Sequence, residues 1–398
     1  MAEWKRVRLG DMTSLITKGT TPKGEYLSRC HNGAVSFLRA ENISNGIVRQ
    51  DSFKYINESV HRNELRRSVL QEGDILITIA GAIGRIALAT SAFLPANINQ
   101  AIALVRLQSS EVDKRYLMYY LSNPSLQEEL LSISSGQSVQ ANLNLQQIGD
   151  IQVSLPPLAT QRKIAAVLGA IDDKIETNRK ICANLEAQAQ ALFKSWFVDF
   201  EPFGGKMPKG WKIRRFNEIC SCKSEKKTPD ELTMYAVTNN GIIPRERIFT
   251  KSLSLSNTPC KVIRYGDLVF GMSRAILNWG VFKNEIGGVS SAYHIYSVDR
   301  NIPSQYLESY ISTHLAEFTQ LIKPASREGQ GFDADKFNDM TIYLPAKNDY
   351  AAFSNLENPI KLKYGVCLSE SRALAAMRDA LLPKLMSGEI DVSKVEVA

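Results

Sequence analysis

The chain has 398 residues, 44% of them hydrophobic and 22% charged, with a formal net charge of +7. At roughly 100–200 residues per domain this length allows several domains, each with a core of its own, and the composition excludes a disordered, collagenous or disulfide-scaffold protein. The charge excess fits a polyanion partner, but many proteins that never touch nucleic acid carry as much. Met1-Ala-Glu-Trp-Lys places charge where a secretory leader needs an apolar stretch, so a cytoplasmic protein is expected. The six scattered cysteines then read as reduced thiols. The longest apolar run, Ile75 to Ala89, is broken by Gly81, Gly84 and Arg85 and is too short to span a bilayer.

In chain order, Trp4-Lys5-Arg6-Val7-Arg8-Leu9-Gly10-Asp11-Met12 opens the first globular region. Short β-like runs follow, such as Ile75–Ile79, with Gly, Asn and Pro between them. A helical pattern covers about Asp113–Ser134, and Asp150-Ile151-Gln152-Val153-Ser154-Leu155-Pro156 closes the region. Next, Ile164, Leu168, Ile171, Ile175, Asn178, Cys182, Leu185, Ala189, Leu192 and Trp196 alternate steps of four and three residues. This heptad seam predicts a helix packed lengthwise on a partner helix. From Ile164 to Trp196 it would run about 50 Å at 1.5 Å per residue.

The same succession then returns. Trp211-Lys212-Ile213-Arg214-Arg215-Phe216-Asn217-Glu218-Ile219 answers the opening, and Tyr265-Gly266-Asp267-Leu268-Val269-Phe270 answers Glu72-Gly73-Asp74-Ile75-Leu76-Ile77. A helical pattern over Ile302–Ile322 holds Tyr306 and Tyr310 where the first region holds Tyr116 and Tyr120, and Asp339–Pro345 answers Asp150–Pro156. A second seam comprises Phe353, Ile360, Tyr364, Cys367, Leu374, Leu381 and Leu385, although Pro359 and Gly365 would weaken its first turns. Four counterparts in the same order, at a slowly drifting separation, identify an internal duplication.

The fold expected is α+β, with two globular α/β regions of mixed short strands and helices. Two long helices pair between them as an antiparallel coiled coil, and the whole forms a pseudo-twofold internal repeat. The boundaries are placed at 1–157, 158–203, 204–346 and 347–398. Helix pairing is assigned to Ile164, Leu168, Ile171, Ile175, Leu185, Leu192, Leu374 and Leu381.

Signatures of catalysis are missing. The four histidines show no metal-ligand spacing, and Cys220-x-Cys222 lacks the second pair of a zinc site, so it reads as a buried or idle thiol. Gly81-Ala82-Ile83-Gly84 lacks the third glycine of a dinucleotide fingerprint and the Gly-Lys-Ser/Thr of a phosphate loop, and reads as a tight turn. No catalytic residue, metal ligand or cofactor is assigned.

The loops instead carry basic and amide side chains. Arg pairs bidentately with guanine and Asn or Gln with adenine, while Lys and Arg neutralise phosphates. Candidate DNA-contacting residues are Thr21, Lys23, Arg39, Asn42, Arg85, Asn99, Gln100, Gln137 and Gln140 in the first copy. In the second they are Lys226, Lys227, Asn239, Arg245, Arg274, Ser291, Tyr293, Arg327 and Gln330.

Several segments resemble the specificity subunit of type I restriction–modification systems. They are Ile151-Gln152-Val153-Ser154-Leu155-Pro156-Pro157-Leu158-Ala159-Thr160-Gln161 leading into Ile164 and Leu168, Leu192-Phe193-Lys194-Ser195-Trp196-Phe197-Val198-Asp199-Phe200, Met207-Pro208-Lys209-Gly210-Trp211, and Leu381-Leu382-Pro383-Lys384-Leu385-Met386-Ser387-Gly388-Glu389-Ile390. The family often has Glu where Thr160 stands, and the second copy replaces Pro-Pro-Leu by Pro345-Ala346-Lys347.

The resemblance implies two target-recognition domains, each reading half of a bipartite site in double-stranded DNA, with the long helices as a spacer. It implies a non-catalytic chain carrying two modification subunits that bind S-adenosylmethionine. Restriction subunits, which hydrolyse ATP, translocate and cut DNA, would join in the full complex. Two other readings stay open on the residues alone: a DNA-modifying or DNA-cleaving enzyme with an unrecognised site, and a coiled-coil interaction protein.

Overall fold

The computed structural model describes residues 4–395 apart from 25, 28–32, 45, 51, 136–141, 230–231, 239–240, 248–258, 273–275, 324–330 and 394. Strands and helices mix throughout, giving an α+β fold. The chain divides into two compact units, residues 1–179 with 368–398 and residues 180–367.

In the first unit, Lys5–Arg8 pairs antiparallel with Gln152–Leu155, bringing the two ends of the globular region together. An antiparallel sheet runs in the order Thr13–Lys18, Ile102–Leu107, Ile75–Thr78, Ile86–Leu88. Ile75–Thr78 is buried at every position, which is why it reads as an unbroken apolar run rather than an alternating one. It turns into Ile86–Leu88 through Gly81 and Gly84, whose φ of +75° and +83° only glycine adopts without strain. A second sheet orders Lys54–Asn57, Ala34–Leu38 and Ala96–Ile98.

The second unit repeats the first arrangement. Lys212–Arg215 pairs with Thr341–Leu344, and its main sheet runs Cys220–Lys223, His294–Val298, Leu268–Met272, Leu277–Val281. These strands are the sequence counterparts of the first unit's, in the same order. The remaining strands pair differently: Lys226–Lys227, Cys260–Arg264 and Ile286–Val289 form one sheet, and Tyr235–Thr238 makes a hairpin with Gly241–Pro244.

Two further details survive the duplication. Tyr116 and Tyr120, one helical turn apart, donate to the carbonyls of Ser154 (2.6 Å) and Gln152 (3.1 Å). Tyr306 and Tyr310 donate in the same way to those of Tyr343 and Thr341. Burial pushes Tyr116, Tyr306 and Tyr310 up, so these hydroxyls stay protonated and donate. Asp74 and Asp267, almost wholly buried, each accept a backbone N–H three residues back, from Gln71 and Arg264. Each is neutralised by a cation from the same sheet, Arg106 on the adjacent strand and Lys223 on the next but one.

The first expected short helix is two, Lys114–Leu121 and Pro124–Ser135. Pro124 disfavours helical backbone at Asn123 and lacks an N–H, so it starts a new helix rather than continuing the old one. In the second copy the chain likewise breaks between Ser304–Thr313 and Leu315–Thr319.

The long helices are Leu158–Phe197 and Lys347–Ser387. Within the first unit Ile164 and Leu168 join Leu382, Leu385 and Met386 in one core. Farther along, Arg378 Nη1 reaches Asp172 Oδ1 (2.8 Å), and Asn178 Nδ2 donates to Glu370 Oε2 (2.8 Å). Residue numbers rise on one helix as they fall on the other, so the pairing is antiparallel. The second unit shows the same sense, from Cys182 Sγ beside the Tyr364 carbonyl (4.0 Å) to Phe197 against Phe353 (4.7 Å). No seam residue of either helix is exposed.

The second helix departs from the sequence expectation, because it runs through Pro359 and Gly365 without a break. Packing on both sides outweighs the local cost. Phe353 and Glu357 are buried before the proline and Cys367 after it, and Glu357 accepts from Ser309 Oγ and Lys361 Nζ, both at 2.9 Å.

Candidate nucleic-acid interface

In the first unit the candidate surface is built where three segments meet. Strand Thr13–Lys18 leaves its sheet at Gly19, where an added Cβ would stand 1.9 Å from the Ile98 carbonyl oxygen. Only glycine lets the 19–23 loop lie this close on the 97–101 loop. Thr21 Oγ1 then donates to Gln100 Oε1. The Lys23 N–H donates to Glu64 Oε1 (2.9 Å), tying in the third segment, 60–68.

Asn97, wholly buried, pins that segment from below. Its Nδ2 donates to the Leu65 carbonyl (2.9 Å) and Ser68 Oγ (3.3 Å), and its Oδ1 lies 2.5 Å from His61 Nδ1. Asn99 Oδ1 accepts the Ala101 N–H (3.2 Å), shaping the loop's tip. Thr21, Lys23, Asn99 and Gln100 are thereby gathered on one face, with Thr21, Lys23 and Gln100 exposed.

The other candidates of this copy lie elsewhere. Asn42 is a correction: it is completely buried, and its amide accepts the Arg39 N–H (2.8 Å) and donates to the Arg49 carbonyl and Ser52 Oγ. An amide so engaged holds the 39–52 loop and leaves nothing for a base edge. Arg39 is half-buried and paired with Glu41. Arg85 is exposed and lines a groove with Tyr119, Asp172 and Arg378, at the foot of the helix pair rather than beside Thr21. Gln137 and Gln140 lie outside the described residues.

Sequence reasoning missed Arg66 and Arg67. Both are exposed and line a groove with Leu15, Thr17 and Arg106. They stand in a short helical stretch, Arg66–Ser68, and not in a Gly-, Asn- or Pro-rich loop. The basic density of His61-Arg62-Asn63-Glu64-Leu65-Arg66-Arg67 was the available signal.

In the second unit Lys226 and Lys227 are exposed, and Lys226 faces Lys261 across the strand pair. Like charges directly opposite destabilise a sheet, so this edge suits a bound anion. Lys261 Nζ donates to the Tyr293 carbonyl (2.7 Å), and burial, with Lys226 adding, pushes its ammonium down. Next to Tyr293, His294 stacks on Phe332 at 4.6 Å; burial, then Lys261, pushes its imidazole down, favouring the neutral ring.

Tyr293 is half-buried, its ring close against Gly271, and Ser291 is exposed. Arg245 is half-buried, its N–H donating to the Met234 carbonyl. Asn239, Arg274, Arg327 and Gln330 lie outside the described residues. Lys261 and His294 were not anticipated, since both sit inside strands.

The two faces offer cations, amides and hydroxyls, chemistry suited to phosphates and base edges. Cys220 is buried, which pushes its thiol up to about 12. Among the described residues no three His, Cys, Asp or Glu side chains gather as metal ligands, and no helix is long and apolar enough to cross a membrane.

Residues 1–187 match the family described as type I restriction modification DNA specificity domain. The chain is similar to the type I restriction enzyme MjaIX specificity subunit of Methanocaldococcus jannaschii, at 24% identity, covering 99% of this chain and 95% of that one. It is also similar to the HindI specificity subunit of Haemophilus influenzae, at 25% identity, covering 60% and 51% of the two chains. Among solved structures, the type I restriction–modification S subunit from M. genitalium superposes with a TM-score of 0.57 over 96% of each chain at 14% identity, a likeness of fold alone.

Proposed function

We propose that the chain is a specificity subunit of a type I restriction–modification system, as the match over residues 1–187 and the similarity to the MjaIX specificity subunit support, and that each globular unit reads one half of a bipartite target in double-stranded DNA. The observation that carries this is the duplicated architecture. The same sheet order and the same tyrosine pair recur in both units, while the loops carry different contacts, Thr21 donating to Gln100 in the first and Lys261 to the Tyr293 carbonyl in the second. A conserved frame with divergent loops suits two readers of different half-sites. The paired long helices set the spacing between half-sites and dock two modification subunits.

The chain itself does no chemistry and binds no cofactor. S-adenosylmethionine belongs to the modification subunits and ATP to the restriction subunits of the full complex, and the assembly works in the cytoplasm. Thr21, Lys23, Asn99 and Gln100 contact DNA in the first unit, and Lys226, Lys227, Ser291 and Tyr293 in the second. Arg39, Arg85 and Arg245 stand as secondary contacts.

Domain exchange tests the reading. Replacing residues 1–150 by those of a relative, in complex with the modification subunits, should alter one half of the methylated sequence, as read by sequencing methylated DNA. Alteration of both halves, or of neither, would overturn it. The purified chain alone, given duplex DNA, Mg²⁺ and S-adenosylmethionine, should neither methylate nor cut; turnover would make it an enzyme in its own right.

A further inference from the structure

We propose that Arg66 and Arg67 clamp the phosphate backbone of the duplex beside the loops of Thr21 and Gln100, supplying affinity without sequence choice. The inference rests on the reading of the first unit as a DNA reader and assigns one task within it.

The two arginines stand on a short 3-10 turn, Arg66–Ser68, whose base is fixed. Leu65 and Ser68 are buried, and Ser68 Oγ donates to the Leu65 carbonyl (3.2 Å). Asn97 holds the same two residues and belongs to the strand that leads straight into Asn99 and Gln100. The turn and the loop are therefore positioned by one buried amide.

Charge separates these arginines from their neighbours. Arg106, in the same groove, is bound at two points by Asp74 (2.8 and 2.7 Å). Arg62 pairs with Glu58, Arg39 with Glu41 and Arg8 with Asp150. Among the described residues Arg66 and Arg67 pair with nothing, yet they stand side by side. Two adjacent cations without counter-ions, on a rigid turn next to base-reading loops, are complementary to a polyanion.

The test uses the chain assembled with its modification subunits and a labelled duplex bearing the site found by methylation sequencing, between about 50 and 200 mM salt. In R66A/R67A the slope of log affinity against log salt should fall by about 2, since each phosphate contact contributes about 0.9. The methylated sequence should stay the same, and R66K/R67K should restore the slope. An unchanged slope in R66A/R67A, or an altered methylated half-site, would overturn the assignment. Failure of R66A/R67A to assemble with the modification subunits would identify the turn as a protein contact and overturn it equally. A wild-type complex that binds this duplex no better than a scrambled one would instead overturn the reading beneath it.

Discussion

Phe353→Ala should destabilise the second unit by about 3–5 kcal/mol, the range for removing a buried phenylalanine. Phe353 is fully buried on the second long helix and meets Phe193 (5.9 Å), Trp196 (5.9 Å) and Phe197 (4.7 Å) on the first, mostly edge to face. Truncation opens a cavity that none of these rings can fill, because each is also held by others, Phe197 by Trp211 and Tyr306 among them. Three of the four tryptophans, Trp196, Trp211 and Trp279, lie in this unit, so tryptophan emission during a urea titration of the full chain reports mainly on it. Leu362→Ala, in the same helix but 72% exposed, should stay within about 0.5 kcal/mol. Equal midpoints for the two variants would show that the helix pairing contributes little to this unit.

The helices were the most legible part of the sequence, and their errors are instructive. The seam at 3.5 residues per turn is right at Ile164 and Leu168, yet at its far end Phe193 and Phe197 are completely buried while Leu192 and Trp196 are only partly so. A straight helix drifts about 20° per heptad against a 3.5-residue repeat. Over the span from Ile164 to Trp196 that accumulates to nearly the 100° separating adjacent residues. The doubt over Pro359 and Gly365 came from propensity alone, which cannot see Phe353, Glu357 and Cys367 packed around them. The duplication was legible because buried strands and paired tyrosines constrain residue type.

The candidate interface was legible only in part, because loop chemistry does not fix where a side chain goes. Asn42 and Asn99 look alike in sequence, each beside a charged or amide neighbour. One closes a loop from within and the other shapes an exposed tip, and the difference lies in residues ten positions away, such as Ser52. Arg66 and Arg67 acquire their setting from Leu15, Thr17 and Asn97, all distant in the chain. Such convergence belongs to the folded molecule and leaves no local pattern.

Asp74→Ala should cost the first unit about 3–5 kcal/mol, as expected when one member of a buried ion pair is removed. The Asp74 side chain is 2% exposed and Arg106 23%, and the guanidinium also donates to the Val69 carbonyl (3.0 Å), so it cannot simply swing into water. Loss of the carboxylate also frees the Gln71 N–H. The counterpart Asp267→Ala should cost less, about 2 kcal/mol, because Lys223 is 28% exposed and its flexible stem can carry the ammonium to solvent. Removing both partners in Asp74→Ala/Arg106→Leu should recover much of the loss, since no stranded charge remains. Salt separates this pair from a surface one: the Asp74→Ala deficit should persist at about 1 M salt, whereas any effect of breaking the exposed Arg62–Glu58 pair should vanish. Denaturation midpoints that fall equally for Asp74→Ala and Asp267→Ala, or a double variant no better than Asp74→Ala, would mean that Asp74 acts through its turn alone and the buried charge of Arg106 is of no consequence.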